Sequence, residues 1–303
     1  MRKHSFYPTL IGYLGLLLWS TSGVVATYVV NLPTFEVLSI AFSTSFFVST
    51  INIVIKRRWF ILKQRTMLWI IGTIGIFGSE SLYIAAVKYA PTSHIDLIYY
   101  TWPMMLIMLS RIILKEKIRK SYLIAGSLSF FSIYLLILKT KSNELGYINQ
   151  YMFGYILALT DAFFSSIYVL GQRYFKETPT ELIGVFCGIG MLCSLFCHFQ
   201  FEPTVIPNFN EWLLILYMGF STQGIAYFLW DYGVKRGNYL LLSMLSYANA
   251  FISMLWLVLF GITEFSIDLL TAFGLMTTAL IIMNFKIPRL NKNEILKIPQ
   301  NSV

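Results

Sequence analysis

The chain has 303 residues, 57% hydrophobic and only 12% charged, whereas soluble domains carry about a quarter charged residues. A single water-soluble core does not account for that balance, and ten crossings of a ~30 Å hydrocarbon layer at about 20 residues each would take roughly two-thirds of the chain. The net charge of +9 does not call for nucleic acid, because the basic residues sit in loops between apolar runs and not along one groove.

Taken in order, the apolar runs predict helices over Leu10–Val30, Glu36–Ile55, Met67–Val87, Thr92–Leu114 and Ser121–Leu138. A polar interval from Lys139 to Gln150 follows. The rhythm then repeats over Tyr151–Gln172, Glu181–Phe201, Glu211–Val234, Asn238–Phe260 and Ser266–Phe285. The first run follows Arg2 and Lys3 as a signal peptide would, but it is long for a cleaved apolar region. The repeat described next also gives it a counterpart, so it is read as a retained span.

Nineteen of the 23 Lys and Arg residues fall at the N-terminus, the even-numbered loops and the C-terminus, including Lys56-Arg57-Arg58 and the run from Lys115 to Lys120. The opposite side holds three: Lys88, Lys139 and Lys141. Positive residues are retained on the cytoplasmic side during insertion, so both termini are expected there. Arg111, the one left over, sits where its long side chain can snorkel to the interface as an anchor.

An offset of 147 residues sets Gly72 on Gly219, Lys88 on Lys235 and Tyr100-Thr101-Trp102-Pro103 on Tyr247-Ala248-Asn249-Ala250. Gly12-Tyr13 matches Gly154-Tyr155 at an offset of 142. Five spans per half is an odd number, so the second half must lie upside down relative to the first. The expected fold is an all-α membrane protein of ten transmembrane helices in two inverted five-helix repeats, residues 1–143 and 144–303. That plan serves many secondary transporters, with the substrate near the midplane.

No nucleotide-binding loop, zinc quartet, hydrolase constellation or dinucleotide turn is present, so no cofactor is expected. Cys187, Cys193 and Cys197 share one apolar span, which implies buried thiols and no disulfide framework. Cys193, Cys197 and His198 do not complete a tetrahedral site, so no metal is expected either.

Ionisable groups deep in a span are costly and usually face a polar interior. Glu80, Asp161 and Asp231 qualify. Glu80 is the leading candidate for binding a substrate ammonium or a proton and Asp161 the second, while each could equally be a hydrogen-bonded packing residue. Asp231, a third proton-coupling candidate, can pair with Lys235 one turn on. Asp96 and His94 lie near a span boundary and are expected at the interface.

Trp19 and Trp102 sit roughly ten residues from either membrane face, too deep for the interfacial aromatic belt. Tyr99, Tyr168, Tyr227 and Trp230 add to the aromatic set. Pro103 removes a backbone hydrogen bond and is the candidate hinge of the fourth span. Gly72, Gly75, Gly78 and Ser79 suit close helix approach.

Thr9-Leu10-Ile11-Gly12 leading to Leu18-Trp19-Ser20-Thr21, Glu80 followed by Tyr89-Ala90, Tyr100-Thr101-Trp102-Pro103, and Ala226-Tyr227 leading through Trp230 to Gly233, Gly237 and Asn238 together carry a resemblance. The chain resembles the EamA-type drug/metabolite transporter superfamily, and within it the aromatic amino acid exporter branch. The resemblance implies a multi-pass protein of the bacterial inner membrane, a basket of helices around a central cavity, and no enzymatic activity. It also implies that the first, third, fourth, sixth, eighth and ninth spans line the cavity, with Trp19, Glu80 and Trp102 on matching positions. The chain departs from the branch at Phe164-Ser165, where a Trp is usual, and at Asp161 and Asp231, where neutral residues are expected.

The sequence therefore predicts a secondary transporter exporting aromatic or other neutral amino acids by alternating access. Its substrate site is drawn from Trp19, Glu80, Tyr99, Trp102, Ser165 and Tyr168. The partners expected are a small-molecule substrate (an amino acid or related metabolite), membrane lipids and, as a candidate coupling ion, protons. Uptake or exchange of a cationic metabolite such as S-adenosylmethionine is the alternative transporter reading. A non-transporting scaffold or an intramembrane enzyme would share the hydropathy but not explain the duplication.

Overall fold

The computed structural model describes residues 6–55, 57, 59–113, 124, 127–128, 131–132, 135 and 146–284. The predicted fifth span, the boundary at 143/144 and the basic run from Lys115 to Lys120 fall mostly or wholly outside these residues. Nine long helical elements run through the described residues: α1 Phe6–Tyr28, α2 Thr34–Ile55, α3 Thr66–Tyr89, α4 over 92–113, α5 Gly146–Tyr174, α6 Leu182–Phe201, α7 Phe209–Arg236, α8 Tyr239–Leu259 and α9 Ile267–Asn284. Seven helices among them are long and apolar enough to cross a membrane: α1, α2, α3, α6 and α7, with Tyr151–Tyr174 of α5 and Leu241–Leu259 of α8.

Local chemistry sets several of the ends. Asn208 caps α7 by accepting from the backbone N–H groups of Asn210 and Glu211, both at 3.0 Å, while Glu211 accepts from the Asn208 N–H at 2.7 Å. That reciprocal pairing satisfies donors that helix geometry leaves orphaned. Asn238 caps α8 through Leu241 N at 3.2 Å. Beyond α8, Gly261 takes φ +67°, a left-handed conformation that glycine adopts without Cβ strain.

Four elements are irregular near their middles. The α1 helix breaks after Trp19 and restarts at Ser22, with Ser20 Oγ and Thr21 Oγ1 donating back to the carbonyls of Leu17 and Leu18. In α4 the break separates Thr92–Tyr99 from Trp102–Ile113, within the turn that precedes Pro103. Pro103 has no N–H to offer the Tyr99 carbonyl four residues back. The α3 and α7 helices loosen into π-helical segments, Ile74–Gly78 and Met218–Ile225. Both π segments end immediately before residues 147 apart, Ser79 and Ala226.

The principal packings are α1 on α7, α3 on α5, and α2 on α6. Close approach needs small residues: a Cβ on Gly233 would lie 2.5 Å from Gly12 Cα, and one on Gly154 would lie 2.9 Å from Ala90 Cβ and 3.1 Å from the Ala86 carbonyl. Gly12 and Gly154 stand on each other at the offset of 142, and Ala86 and Gly233 at 147. The same small-residue contact therefore occurs twice.

Polarity is distributed as in a protein surrounded by lipid. Large apolar side chains such as Phe47, Ile55, Phe196 and Phe199 are exposed, while Ser45, Ser166, Asp161 and Gln223 are fully buried. Water would penalise the first group and welcome the second. Asp96 and His94, expected near a span boundary, are both buried within the protein. The α3–α4 link is only Ala90-Pro91, so the start of α4 is packed inside the bundle. Neighbours supply Tyr155 OH to His94 at 2.8 Å and two hydroxyls to Asp96.

Candidate functional site

Six elements, α1, α3, α4, α5, α7 and α8, converge on one cavity of about 70 Å³, smaller than the roughly 300–1,000 Å³ of small-molecule sites. These elements correspond to the first, third, fourth, sixth, eighth and ninth predicted spans. The irregularities of α1, α3, α4 and α7 all fall beside it, which is how a helix can present carbonyls and side chains off its regular ladder.

The aromatic wall has two parts, one around Trp19 and one around Tyr99. Trp19 meets Tyr227 edge-on at 4.8 Å between ring centroids and Trp230 at 5.6 Å. Trp230 meets Trp102 at 5.8 Å, Tyr227 meets Tyr168 at 6.1 Å, and Tyr83 meets Tyr99 at 5.9 Å. The Trp19 indole N–H donates to the Thr222 carbonyl at 2.7 Å. Thr222 lies within the π segment of α7. This bond fixes the Trp19 ring across two elements.

Three carboxyl groups face the same space. Glu80, the first residue but one after the α3 π segment, accepts from Tyr227 OH at 2.9 Å and is approached by Gln223 Nε2 at 3.5 Å. Glu80 and Tyr227 are themselves 147 residues apart. Asp161 on α5 accepts from Ser79, with Ser165 at 3.4 Å and Ser79 and Ser165 2.9 Å from each other. Asp96 accepts from Tyr83 OH and from Ser253 Oγ, each at 2.6 Å. Asn249, on α8, donates to Tyr100 OH at 3.1 Å.

Of the residues singled out in the sequence, Trp19, Glu80, Tyr99, Trp102, Asp161, Ser165 and Tyr168 all line this cavity. Pro103 and Asp231 do not. Pro103 lies just beyond the α4 break. Asp231 sits behind Trp230, in an ion pair with Lys235 at 2.8 Å and within reach of Gln172 and Thr180. Sequence reasoning missed Ser79, Tyr83, Asp96, Asn249 and Ser253 as lining residues. An acid within an apolar span was signal enough for Asp96, whereas the polar residues of α8 carry no individual signal. No group of three or more His, Cys, Asp or Glu able to hold a metal occurs among the described residues. His198 instead contacts Glu202 and Thr204.

The family model for EamA-like transporters matches residues 7–138 and again residues 152–285. The chain belongs to the EamA-like transporter family. It is a multi-pass membrane transporter. Among similar proteins, the aromatic amino acid exporter YddG of Ancylobacter novellus is 33% identical over 254 residues, covering 84% of this chain and 88% of the exporter. The uncharacterized transporter YyaM of Bacillus subtilis is 28% identical over 172 residues, 55% of this chain and 56% of YyaM. A crystal structure at 31% sequence identity superposes with a TM-score of 0.73, covering 92% of this chain and 96% of the other.

Proposed function

We propose that the chain exports aromatic and similar neutral amino acids across the bacterial inner membrane, by alternating access to the cavity between two inverted halves, with both termini cytoplasmic. The observation that carries this reading is the aromatic wall of Trp19, Tyr99, Trp102, Tyr168 and Tyr227 facing carboxyl groups in one cavity. Rings stack on rings, and an ammonium is attracted both by aromatic faces and by carboxylate. Similarity to an aromatic amino acid exporter supports the substrate class, and the two-fold match of the family model supports the duplication. The repeated Gly12–Gly233 and Gly154–Ala86 contacts support the inversion. The charge count supports the orientation.

In this reading the Glu80–Tyr227 bond joins equivalent positions of the two halves, so it lies where an inverted pair would place its axis. Glu80 is the candidate site for a coupling proton, and the Pro103 region of α4 is the bending point.

Purified protein in liposomes, loaded with labelled tryptophan or phenylalanine, tests the proposal. Saturable flux above protein-free vesicles is expected, reduced about twofold to tenfold by Trp102→Ala, the scale of a lost buried aromatic contact. Glu80→Gln is expected to abolish acceleration by an imposed pH gradient. Absence of saturable flux from monodisperse, folded protein would refute the proposal, and flux of S-adenosylmethionine alone would replace it with the cationic alternative.

A further inference from the structure

Among the described residues, the cavity is lined by Glu80, Asp96 and Asp161 but by no Lys, Arg or His. A zwitterionic amino acid entering it would find acceptors for its ammonium and no opposite charge for its carboxylate. The three carboxyl groups are not equivalent. Both oxygens of Asp96 are engaged, by Tyr83 and Ser253. Both oxygens of Glu80 are engaged, by Tyr227 and Gln223. Asp161 uses only Oδ1, towards Ser79 and Ser165.

Asp161 Oδ2 is buried without a hydrogen-bond partner, on a residue with 0% exposure. A buried acceptor left unpaired is costly, and a ligand N–H removes that cost. Asn249 repeats the pattern: its amide nitrogen is used on Tyr100 OH while Oδ1 has no partner. Among the described residues, these two oxygens are the unpartnered buried side-chain atoms carried by residues that line the cavity. Both ask for a donor. Tyr168, two turns along α5 from Asp161, and Tyr99 place aromatic faces in the same space.

We infer that the cavity takes aromatic primary amines, compounds with a ring and an ammonium but no carboxylate, in preference to the corresponding amino acids, with Asp161 Oδ2 as the ammonium acceptor. The inference rests on the proposed function only in taking this cavity as the transport site. It shifts the role of ammonium acceptor from Glu80, which joins α3 to α7, to Asp161. Asp161 thus becomes the residue that sets specificity.

Calorimetric titration of the full chain in detergent, with 2-phenylethylamine, phenylalanine and 3-phenylpropionate, tests it directly. All three ligands share the ring and differ in charge. The amine is expected to bind at least about tenfold more tightly than phenylalanine, the lower end for a hydrogen bond to a charged group when no counter-charge serves the carboxylate. Asp161→Asn keeps the side-chain shape and the Ser79 contact. It should weaken the amine about tenfold to a hundredfold and leave 3-phenylpropionate unchanged or improved. Competition by the three ligands on the wild-type protein gives the same ranking should the variant not fold.

Equal or tighter binding of phenylalanine, or equal losses for all three ligands in Asp161→Asn, would overturn the inference. Saturable liposome flux of phenylalanine alongside either result would leave the transport reading standing. Absence of both binding and flux for every ligand sinks the two together.

Discussion

Replacing Asp231 with Leu tests the largest electrostatic commitment outside the cavity. Asp231 and Lys235 pair at 2.8 Å, with side chains only 3% and 8% exposed. The carboxylate also accepts from Gln172 Nε2 at 2.9 Å and Thr180 Oγ1 at 2.7 Å, while Lys235 donates to the Thr178 carbonyl at 3.0 Å. Asp231 thereby joins α7 to α5 and to the segment between α5 and α6. Leucine removes every one of these acceptances and leaves the ammonium buried with a single carbonyl. Hydrogen bonds inside membrane proteins contribute about 0.6 kcal/mol each, so losing Gln172 and Thr180 accounts for about 1 kcal/mol. Stranding one partner of a buried ion pair costs about 3–5 kcal/mol. The stranded charge therefore dominates, and Asp231→Leu with Lys235→Met together should recover all but about 1 kcal/mol of the loss. Reversible unfolding in mixed micelles of wild type, both single variants and the double variant measures this cycle. A double variant as unstable as Asp231→Leu alone would refute the argument, because the loss would then belong to packing and not to charge.

Gly233→Ala places a Cβ 2.5 Å from Gly12 Cα, a backbone atom that cannot turn aside. A destabilisation of about 1–3 kcal/mol is expected, whereas Gly274→Ala, with nothing within 4 Å, should be neutral or stabilising by up to about 1 kcal/mol; the same unfolding assay compares them. Trp19→Phe keeps an aromatic ring but loses the 2.7 Å bond to the Thr222 carbonyl. It should cost about 0.5–1.5 kcal/mol, with an accompanying rise in KM for any substrate that stacks there. An unchanged KM and unchanged stability would show that the π segment does not depend on that bond.

Most of the helices were legible because membrane spans are written as apolar runs of fixed length, and the predicted bounds of α2 and α6 end on Ile55 and Phe201 as the structure does. The breaks were legible only in part. Pro103 announced a bend, and the interruption at Tyr100–Thr101 falls in the turn before it, where the proline offers the Tyr99 carbonyl no donor. The π segments had no announcement beyond Gly72, Gly75 and Gly78, since one extra residue in a turn depends on what packs outside it: a Cβ on Gly75 would lie 2.4 Å from the Tyr168 ring. The acids show where single-chain reasoning stops. Lys235 could be found from Asp231 by counting one helical turn, but Ser253 lies 157 residues from Asp96 and Gln172 lies 59 from Asp231. Glu80 is intermediate. Its partner Tyr227 is non-local, yet the sequence offset of 147 applied to Glu80 gives it directly.

The same offset also exposes an asymmetry between the two ends of the bundle. Lys88, at the end of α3, donates to the Leu32 carbonyl in the loop after α1 at 2.6 Å. Lys235, at the end of α7, donates to the Thr178 carbonyl in the loop after α5 at 3.0 Å. The two lysines are 147 residues apart and do equivalent work, each holding a helix end against the link that follows the helix two places before it in the chain. Their surroundings differ, because the position 147 residues before Asp231 is Ile84. The Lys235 end therefore carries a buried ion pair that the Lys88 end has no residue to match at that position. Separating α5 from α7 must expose or break the charged cluster of Asp231, Gln172 and Thr180, whereas parting α1 from α3 at Lys88 gives up an ammonium-to-carbonyl bond at a site open enough for water to replace it. Trp230 connects the stronger end to the cavity, since its indole N–H donates to Gln172 Oε1 at 3.2 Å while its ring packs on Trp19 and Trp102. A ligand that displaces the Trp230 ring consequently acts on the Asp231 cluster through one intervening side chain.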